Sequence, residues 1–340
     1  MENKALRTKF NMRFFNAKFD IVKFGIGMSG GGARGAAHIG VLKVLDKKLN
    51  IVAVAGASAG AIVAVAYSAG KLKKLEKKVK SITKRDVQSY FRLSRSKEGL
   101  FDSSQIENFM REIIGDVKLE DLDKKTIIVA SDIKAGRPIY FTKGDAAKVV
   151  AASSAIPGLF TPVKIKNMIL VDGGLFNNLP VRIIKEEMEK NGEEIKTIGV
   201  DVTSSDERLG KATKYLVNGV QALDKRIIIL KERINNNPKL SRIERLRLVR
   251  AVLDRIRMLR KNKELLDHNP NYNLAAILIR AMTKFKPGEN MDVGDYTIKP
   301  NVNVFNLDFY KAKQAIGAGE KAAKKFLKEL KHENKHENKK

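Results

Sequence analysis

The chain contains no cysteine. That absence excludes disulfides, thiolate metal sites and a cysteine nucleophile, and it suits a reducing compartment. Long apolar runs are missing too: no stretch reaches the roughly 18 uninterrupted apolar residues that a spanning helix needs. Residues 1–20 carry Lys4, Arg7, Lys9, Arg13 and Lys18 but no apolar segment of the secretory kind. A soluble, cytoplasmic protein is expected. Histidine is scarce, with four in 340 residues, which narrows any chemistry that needs an imidazole base. Acidic residues are outnumbered, 38 against 66 basic, for a net charge of +28. Such an excess attracts polyanions, whether anionic membrane surfaces, nucleic acid or acidic proteins. A lysine-rich surface with no polyanionic partner is the plainer account, and composition alone leaves both open.

What is present is enough apolar sequence, 43%, to bury a substantial core in one large domain or one domain with an insertion. Leu6, Phe10, Phe14 and Ala17 recur at helical spacing between basic residues, so residues 1–20 read as a basic amphipathic arm for a membrane surface or as a helix packed on the domain. Ile21 to Met28 reads as a buried strand, broken by Gly30, Gly31 and Gly32. A helix follows from about Arg34 to Lys47, then a strand at Ile51 to Ala55 and an apolar helical run from Ala61 to Ala69. Ser104-x-x-Glu107 is a capping-box pattern that opens a helix to about Ile114. Strands at Ile127 to Asp132 and Ile139 to Phe141, and a helix at Ala146 to Ala155, continue the alternation. Next come a hairpin of Val163 to Ile165 with Met168 to Val171, a helix at Val181 to Lys190 and a strand at Thr197 to Val202. This order predicts an α/β fold: a three-layer α/β/α sandwich around a mostly parallel sheet. After Asp206 the character changes to a basic helical hairpin, inserted at about 206–269 and broken at Asn235-Asn236-Asn237-Pro238. Sheet-like sequence returns at Tyr296 to Val304 and helical sequence from Phe309 to Lys331, which closes a domain spanning 21–331. The tandem polar tail at 332–340 is expected to be disordered.

Gly56-Ala57-Ser58-Ala59-Gly60 joins the second strand to the next helix. A turn that tight needs small neighbours, Gly56 and Gly60, on either side of the serine. Ser58 is left projecting at a helix start, where backbone N–H groups favour developing negative charge. A Ser–His–acid triad is a poor fit, because His332 and His336 lie in the tail, His268 in a polar loop and His38 on the preceding helix. The base is then a carboxylate, a lysine or nothing. Asp172 ends the apolar run Ile169-Leu170-Val171 and precedes Gly173-Gly174, so it emerges where the backbone turns sharply. Asp132 and Asp201 also end strands and compete with it. Gly30, Gly31 and Gly32 can aim several amides at one point, as an oxyanion site requires. Arg34 follows them, either as a surface arginine or as a charge that steadies the loop or a ligand.

The same glycines spell G-x-G-x-x-G from Gly25 to Gly30 and again from Gly30 to Gly35. A dinucleotide site would want an acidic residue at the end of the second strand, where Gly56-Ala57-Ser58 stands instead. No Gly-Lys-Ser/Thr follows the glycines, so the P-loop reading fails as well.

Gly30-Gly31-Gly32-Ala33-Arg34-Gly35, Gly56-Ala57-Ser58-Ala59-Gly60, Ser153-Ser154-Ala155-Ile156-Pro157-Gly158 and Asp172-Gly173-Gly174 with Asn177-Asn178-Leu179-Pro180 occur in this order. Together they resemble the patatin-like phospholipase family over about Phe24 to Val202, with a weaker echo from Asn273 to Ala323. The resemblance implies a three-layer α/β/α fold and a Ser–Asp dyad in place of a triad. Ser58 would be the nucleophile and Asp172 the base, with Gly30, Gly31 and Gly32 as the oxyanion hole and Arg34 beside it. By position it also makes Ile156, Leu159 and Phe160 lining residues of an acyl channel. The insertion at 206–269 departs from the compact family pattern. The expected activity is hydrolysis of fatty acyl esters of phospholipids or lysophospholipids through an acyl-enzyme, with no metal and no cofactor. The basic surface would draw the protein to anionic lipid as a peripheral membrane enzyme; nucleic acid is the less favoured partner. Two alternatives stand: an acyltransferase using the same dyad, and a non-catalytic protein binding anionic lipid or nucleic acid through the basic hairpin.

Overall fold

A computed structural model describes residues 22–86, 99–156, 158–203, 291–304 and 308–337. They all belong to one of the chain's two compact units, the one built from Met1–Thr203 and Lys286–Lys340. The expected basic arm at 1–20 and the hairpin at 206–269 lie outside the described residues.

The described strands are β1 (Lys23–Met28), β2 (Asn50–Ala57), β3 (Gly99–Phe101), β4 (Lys125–Asp132), β5 (Arg137–Phe141), β6 (Gly158–Phe160), β7 (Val163–Ile165), β8 (Met168–Asp172), β9 (Lys196–Val200) and β10 (Tyr296–Ile298). The helices are α1 (Ala36–Leu45), α2 (Ala59–Ser68), α3 (Leu72–Ser81), α4 (Ser104–Ile114), α5 (Ala146–Ser153), α6 (Arg182–Glu189) and α7 (Ala312–Glu337). Eight strands form one sheet in the order β10-β9-β1-β2-β4-β8-β7, with β5 also paired to β4. Neighbours from β10 to β4 run parallel. The pairs β4–β5, β4–β8 and β7–β8 are antiparallel. The short strands β3 and β6 pair separately, in parallel. This is the expected α/β architecture: a mixed, mostly parallel sheet flanked by helices.

Side-chain alternation along the strands decides what each face carries. Ile26, Met28, Val54 and Ile128 face the main core, where helices α1, α2, α4, α5 and α7 contribute Leu42, Val65, Met110, Val150 and Phe326. Their neighbours Ala53, Ala55 and Ile127 point the other way and pack with Ile184 and Met188 of α6. The same face of β1 carries glycine. A Cβ at Gly25 would meet Ile184 Cγ2 at 2.5 Å, and one at Gly27 would meet Val181 Cγ2 at 2.7 Å. Two of the glycines that mimic a nucleotide fingerprint therefore let α6 lie close on the sheet. That helix has no cap of its own; Val181 and Arg182 donate their amides to Asp292 Oδ2, each at 3.1 Å, from far along the chain.

Helix α3 has no counterpart among the sequence expectations. It starts at Leu72, where the preceding Lys71 supplies no side-chain cap, and buries only Leu75 fully. The C-terminal helix runs on to Glu337, through much of the tail expected to be disordered. Residues 331–337 contain no glycine or proline to stop it. Regular strand at the sheet edge is confined to Tyr296–Ile298, shorter than the Tyr296 to Val304 expected.

Candidate active site

Sheet register explains how two residues far apart in sequence meet. On β4, Ala57 pairs with Val129 and Asp172 pairs with Ala130. Because β5 occupies the other edge of β4, the strand ends that carry Ser58 and Asp172 thus meet at adjacent residues along one edge of it. The Asp172 carboxylate accepts a hydrogen bond from the Gly174 amide at 2.8 Å, and the Ser58 side chain lies near enough to favour its charged form.

The turn at Ser58 is strained. Its φ is 53°, in the left-handed region that a serine adopts only when its surroundings force it, at about 1–3 kcal/mol. The forcing contacts are steric. A Cβ at Gly56 would lie 2.4 Å from the Gly60 carbonyl, and a Cβ at Gly60 only 2.2 Å from the Met28 oxygen. The Ser58 amide donates to Ser153 Oγ at 2.9 Å, which fixes the backbone from the end of α5. Although Ser58 occupies the position before α2, its hydroxyl does not cap that helix. It remains available to Asp172.

Asp172 is 2% exposed. Burial pushes its carboxyl up to about 6, against the opposing pull of the nearby Ser58 side chain and the Gly174 amide. The competing aspartates are committed to their own turns. Asp132 Oδ1 accepts from the Lys134 amide at 2.9 Å, and Asp201 Oδ1 accepts from the Thr203 amide at 2.7 Å. His38 is fully buried, and burial drives its imidazole down to about 4, so it is neutral. Its Nε2–H donates to the Ser29 carbonyl at 2.8 Å, which braces the loop after β1.

That loop lies against Ser58: a Cβ at Gly30 would sit 3.1 Å from Ser58 Cβ. The Gly30 amide, expected as an oxyanion donor, is already engaged by the Asn178 carbonyl and Asn178 Oδ1, both at 3.2 Å. The amides of Gly31 and Gly32 have no such partner among the described residues. Gly32 adopts a φ of 57°, which glycine tolerates without penalty. Arg34 is 1% exposed, and its Nε and Nη2 have no hydrogen-bond partner among the described residues. Burial lowers its guanidinium to about 10 while Asp201 opposes the shift, so it is cationic at neutral pH.

In front of the loop is a cavity of about 210 Å³, partly open to solvent and almost wholly apolar. Ser58 lines it together with Ile62, Phe109, Ile156 and Phe160. Ile156 and Phe160 were expected at an acyl channel; Leu159 lies between them in chain order, on β6. Gly32, Ala33 and Gly35 line the same space, whereas Arg34 does not. Ser154 also faces the cavity, with a buried hydroxyl that has no partner among the described residues. Sequence reasoning gave no role to Ser153, Asn178 or the Ser29–His38 brace. Their only signal was position: Ser153 and Asn178 sit inside matched motifs. Among the described residues, no group of three or more His, Asp or Glu converges on a metal-sized site.

Comparison with known proteins bears on this arrangement. Residues 27–185 match the family model for patatin-like phospholipase. An uncharacterized NTE family protein of Mycobacterium tuberculosis is 36% identical over 157 residues, covering 46% of this chain and 44% of the relative. Lysophospholipase NTE1 of Scheffersomyces stipitis is 28% identical over 193 residues, 54% of this chain but 12% of the yeast protein. The chain thus corresponds to less than half the length of each relative. Among solved structures, VipD from Legionella pneumophila aligns with a TM-score of 0.41 at 17% identity, covering 91% of this chain and 67% of that one. Residues 27–185 are accordingly a patatin-like phospholipase domain.

Proposed function

We propose that this protein hydrolyses fatty acyl esters of phospholipids or lysophospholipids with Ser58 as nucleophile and Asp172 as base. One observation carries the reading: a strained serine beside a buried carboxylate at the wall of an apolar cavity. Ser58 Oγ attacks the ester carbonyl and its proton passes to Asp172. A carboxyl shifted to about 6 is mostly ionised at neutral pH yet more basic than an ordinary aspartate. The carbonyl oxygen becomes an oxyanion held by the Gly31 and Gly32 amides, each such donor contributing about 3–4 kcal/mol in the transition state. Arg34 stands behind the loop as a fixed positive charge. The leaving alkoxide takes the proton back from Asp172 as the acyl-enzyme forms. Water, deprotonated by Asp172, then releases the fatty acid and restores Ser58.

Cavity size favours a single acyl chain. A volume of about 210 Å³ falls below the roughly 300–1,000 Å³ of ordinary ligand pockets, so a two-chain lipid would leave its second chain outside. The name of the yeast relative, a lysophospholipase, points the same way. No step needs a metal, so turnover should survive chelation by EDTA. Among the described residues no helix is long and apolar enough to cross a membrane, and a peripheral attachment would bring the cavity to its substrate.

The test is hydrolysis of a fluorogenic short-chain ester by the native chain, by Ser58→Ala and by Asp172→Asn, followed by mass spectrometry of lipids cleaved from a mixed extract. Both variants should be folded and inactive. Full turnover in Asp172→Asn would assign the base elsewhere. Acyl transfer to an added alcohol, in preference to water, would make the enzyme a transferase built on the same dyad.

A further inference from the structure

Helix α3 forms one wall of the cavity through Leu75 and Val79, continued by Ile82 just after it. Its outward side is unlike any of these. Residues 71–86 hold eight lysines and arginines against two acidic residues, a net +6. Part of this charge is engaged. Lys78 pairs with Glu112 at 2.7 Å, Lys80 pairs with Glu76, and Glu76 is also held by Lys43 at 2.8 Å. Lys73 and Lys77 are exposed, one turn apart, and have no acidic partner among the described residues. At about 100° per residue they fall on the side of the helix opposite Leu75 and Val79.

Just beyond α3 the charge meets an aromatic ring. Lys84 Nζ lies 5.1 Å from the Tyr310 ring centroid and Lys311 Nζ 5.6 Å from the same ring. The adjacent residue, Phe309, lines the cavity. A tyrosine flanked by lysines beside an apolar opening is the residue mixture found at membrane–water interfaces.

We infer that the outer face of α3, with Tyr310 and Lys311 at its end, is the surface that docks on an anionic lipid bilayer. Charge complementarity identifies a polyanion as the partner. The placement of the stripe selects lipid: the helix that carries it is itself the cavity wall, so docking sets the cavity about one helix diameter, roughly 10 Å, from the headgroups. Only this choice of lipid rests on the acyl-hydrolase reading. Each lysine at such a surface contributes about fivefold in affinity, so removing two should cost about thirtyfold.

The experiment is vesicle flotation of the Ser58→Ala chain, with and without Lys73→Gln plus Lys77→Gln. The vesicles are phosphatidylcholine alone or phosphatidylcholine containing phosphatidylglycerol. A second pair, Lys324→Gln plus Lys328→Gln, removes the same charge from exposed positions on α7. The α3 pair should lose about thirtyfold in affinity for the anionic vesicles and the α7 pair less than about threefold, with unchanged circular dichroism and melting in both. Equal losses from the two pairs would reduce the effect to net charge and overturn the proposal. Undiminished binding in the α3 pair would overturn it too, as would tighter binding to duplex DNA that the same substitutions abolish. The assay reads no turnover, so its failure leaves the hydrolytic reading intact, and inactivity of the native chain towards esters leaves the docking result standing.

Discussion

Asp172 makes a prediction that joins catalysis to stability. Its carboxyl is pushed from 3.8 to about 6 by burial. If it is the base, kcat/KM for a soluble ester should rise with pH through about 6, gaining about tenfold between pH 5 and 7 before levelling. The same shift has a stability sign. An acid whose folded pKa lies above its unfolded value binds more protons in the native state, so stability falls as pH rises from about 4 to 6. Above that window the cost is complete, at about 3 kcal/mol for a shift of roughly two units. Asp172→Asn keeps the shape and can still accept from Gly174, but it carries no charge. It should therefore be inactive yet more stable than the native chain at pH 8, with the gap closing towards pH 4. Urea denaturation of both chains at a series of pH values, beside the pH–rate profile, measures the two halves independently. His38 works in the opposite direction. Its imidazole is lowered to about 4, so its contribution is present above pH 6.5 and disappears as pH falls towards 4. Only the difference between the two chains isolates Asp172. A rate inflection near 7 or near 4, or an Asp172→Asn chain less stable than the native one at pH 8, would refute the reasoning.

Two further outcomes follow from the packing. At Gly60 an added Cβ would meet backbone atoms of Met28 and Ser29 at 2.2, 2.7 and 2.9 Å, so Gly60→Ala should destabilise the fold by at least the roughly 1–3 kcal/mol typical of overpacking, seen as a lower melting temperature, and abolish turnover. Gly317→Ala, where nothing lies within 4 Å, should instead gain about 0.5–1 kcal/mol as a helix substitution, measured by the same melts. In the apolar cavity each additional buried methylene of the acyl chain is worth about 0.8 kcal/mol. Ester hydrolysis should accordingly improve about fourfold in kcat/KM per carbon until the cavity is full, and a series of increasing chain length checks this; a flat series would move the acyl group out of that cavity.

The elements around Ser58 were legible because their signals are local: glycines placed by contact, a turn between an apolar strand and an apolar helix, an aspartate closing a hairpin. What escaped was non-local or weakly marked. The Gly30 amide looked like a free donor until the fold brought Asn178 to it, 148 residues away. Gly25 and Gly27, which imitate a nucleotide fingerprint, are explained by α6 pressing on the sheet. Helix α3 has an uncapped start and just three apolar residues, Leu72, Leu75 and Val79, among lysines. Its period is visible only once the cavity shows which side is inward. The tail after Lys331 reads as disordered by composition, but nothing in it breaks a helix that begins at Ala312 and is anchored by Phe326 and Leu330.

Ser58 and Lys166, the latter in the β7–β8 turn, are the two described non-glycine residues with positive φ, and unmet polar groups gather near the first of them. Among the described residues, the buried side-chain atoms without a hydrogen-bond partner belong to Arg34, His38, Ser154 and Asn177. Arg34 and His38 lie under the glycine loop, Ser154 lines the cavity, and Asn177 precedes the residue that holds Gly30. Ser58 adds its left-handed backbone and Asp172 its desolvated carboxyl. Each such feature costs about 1–3 kcal/mol. A core chosen for stability alone would place a glycine at position 58 and apolar side chains at 154 and 172. The strain at Ser58 and the unmet polar groups of the glycine loop and the cavity wall persist because the surrounding sheet and the close glycine contacts hold the chain in this geometry. That concentration, more than any single distance, is the physical argument that this corner of the fold is shaped for chemistry.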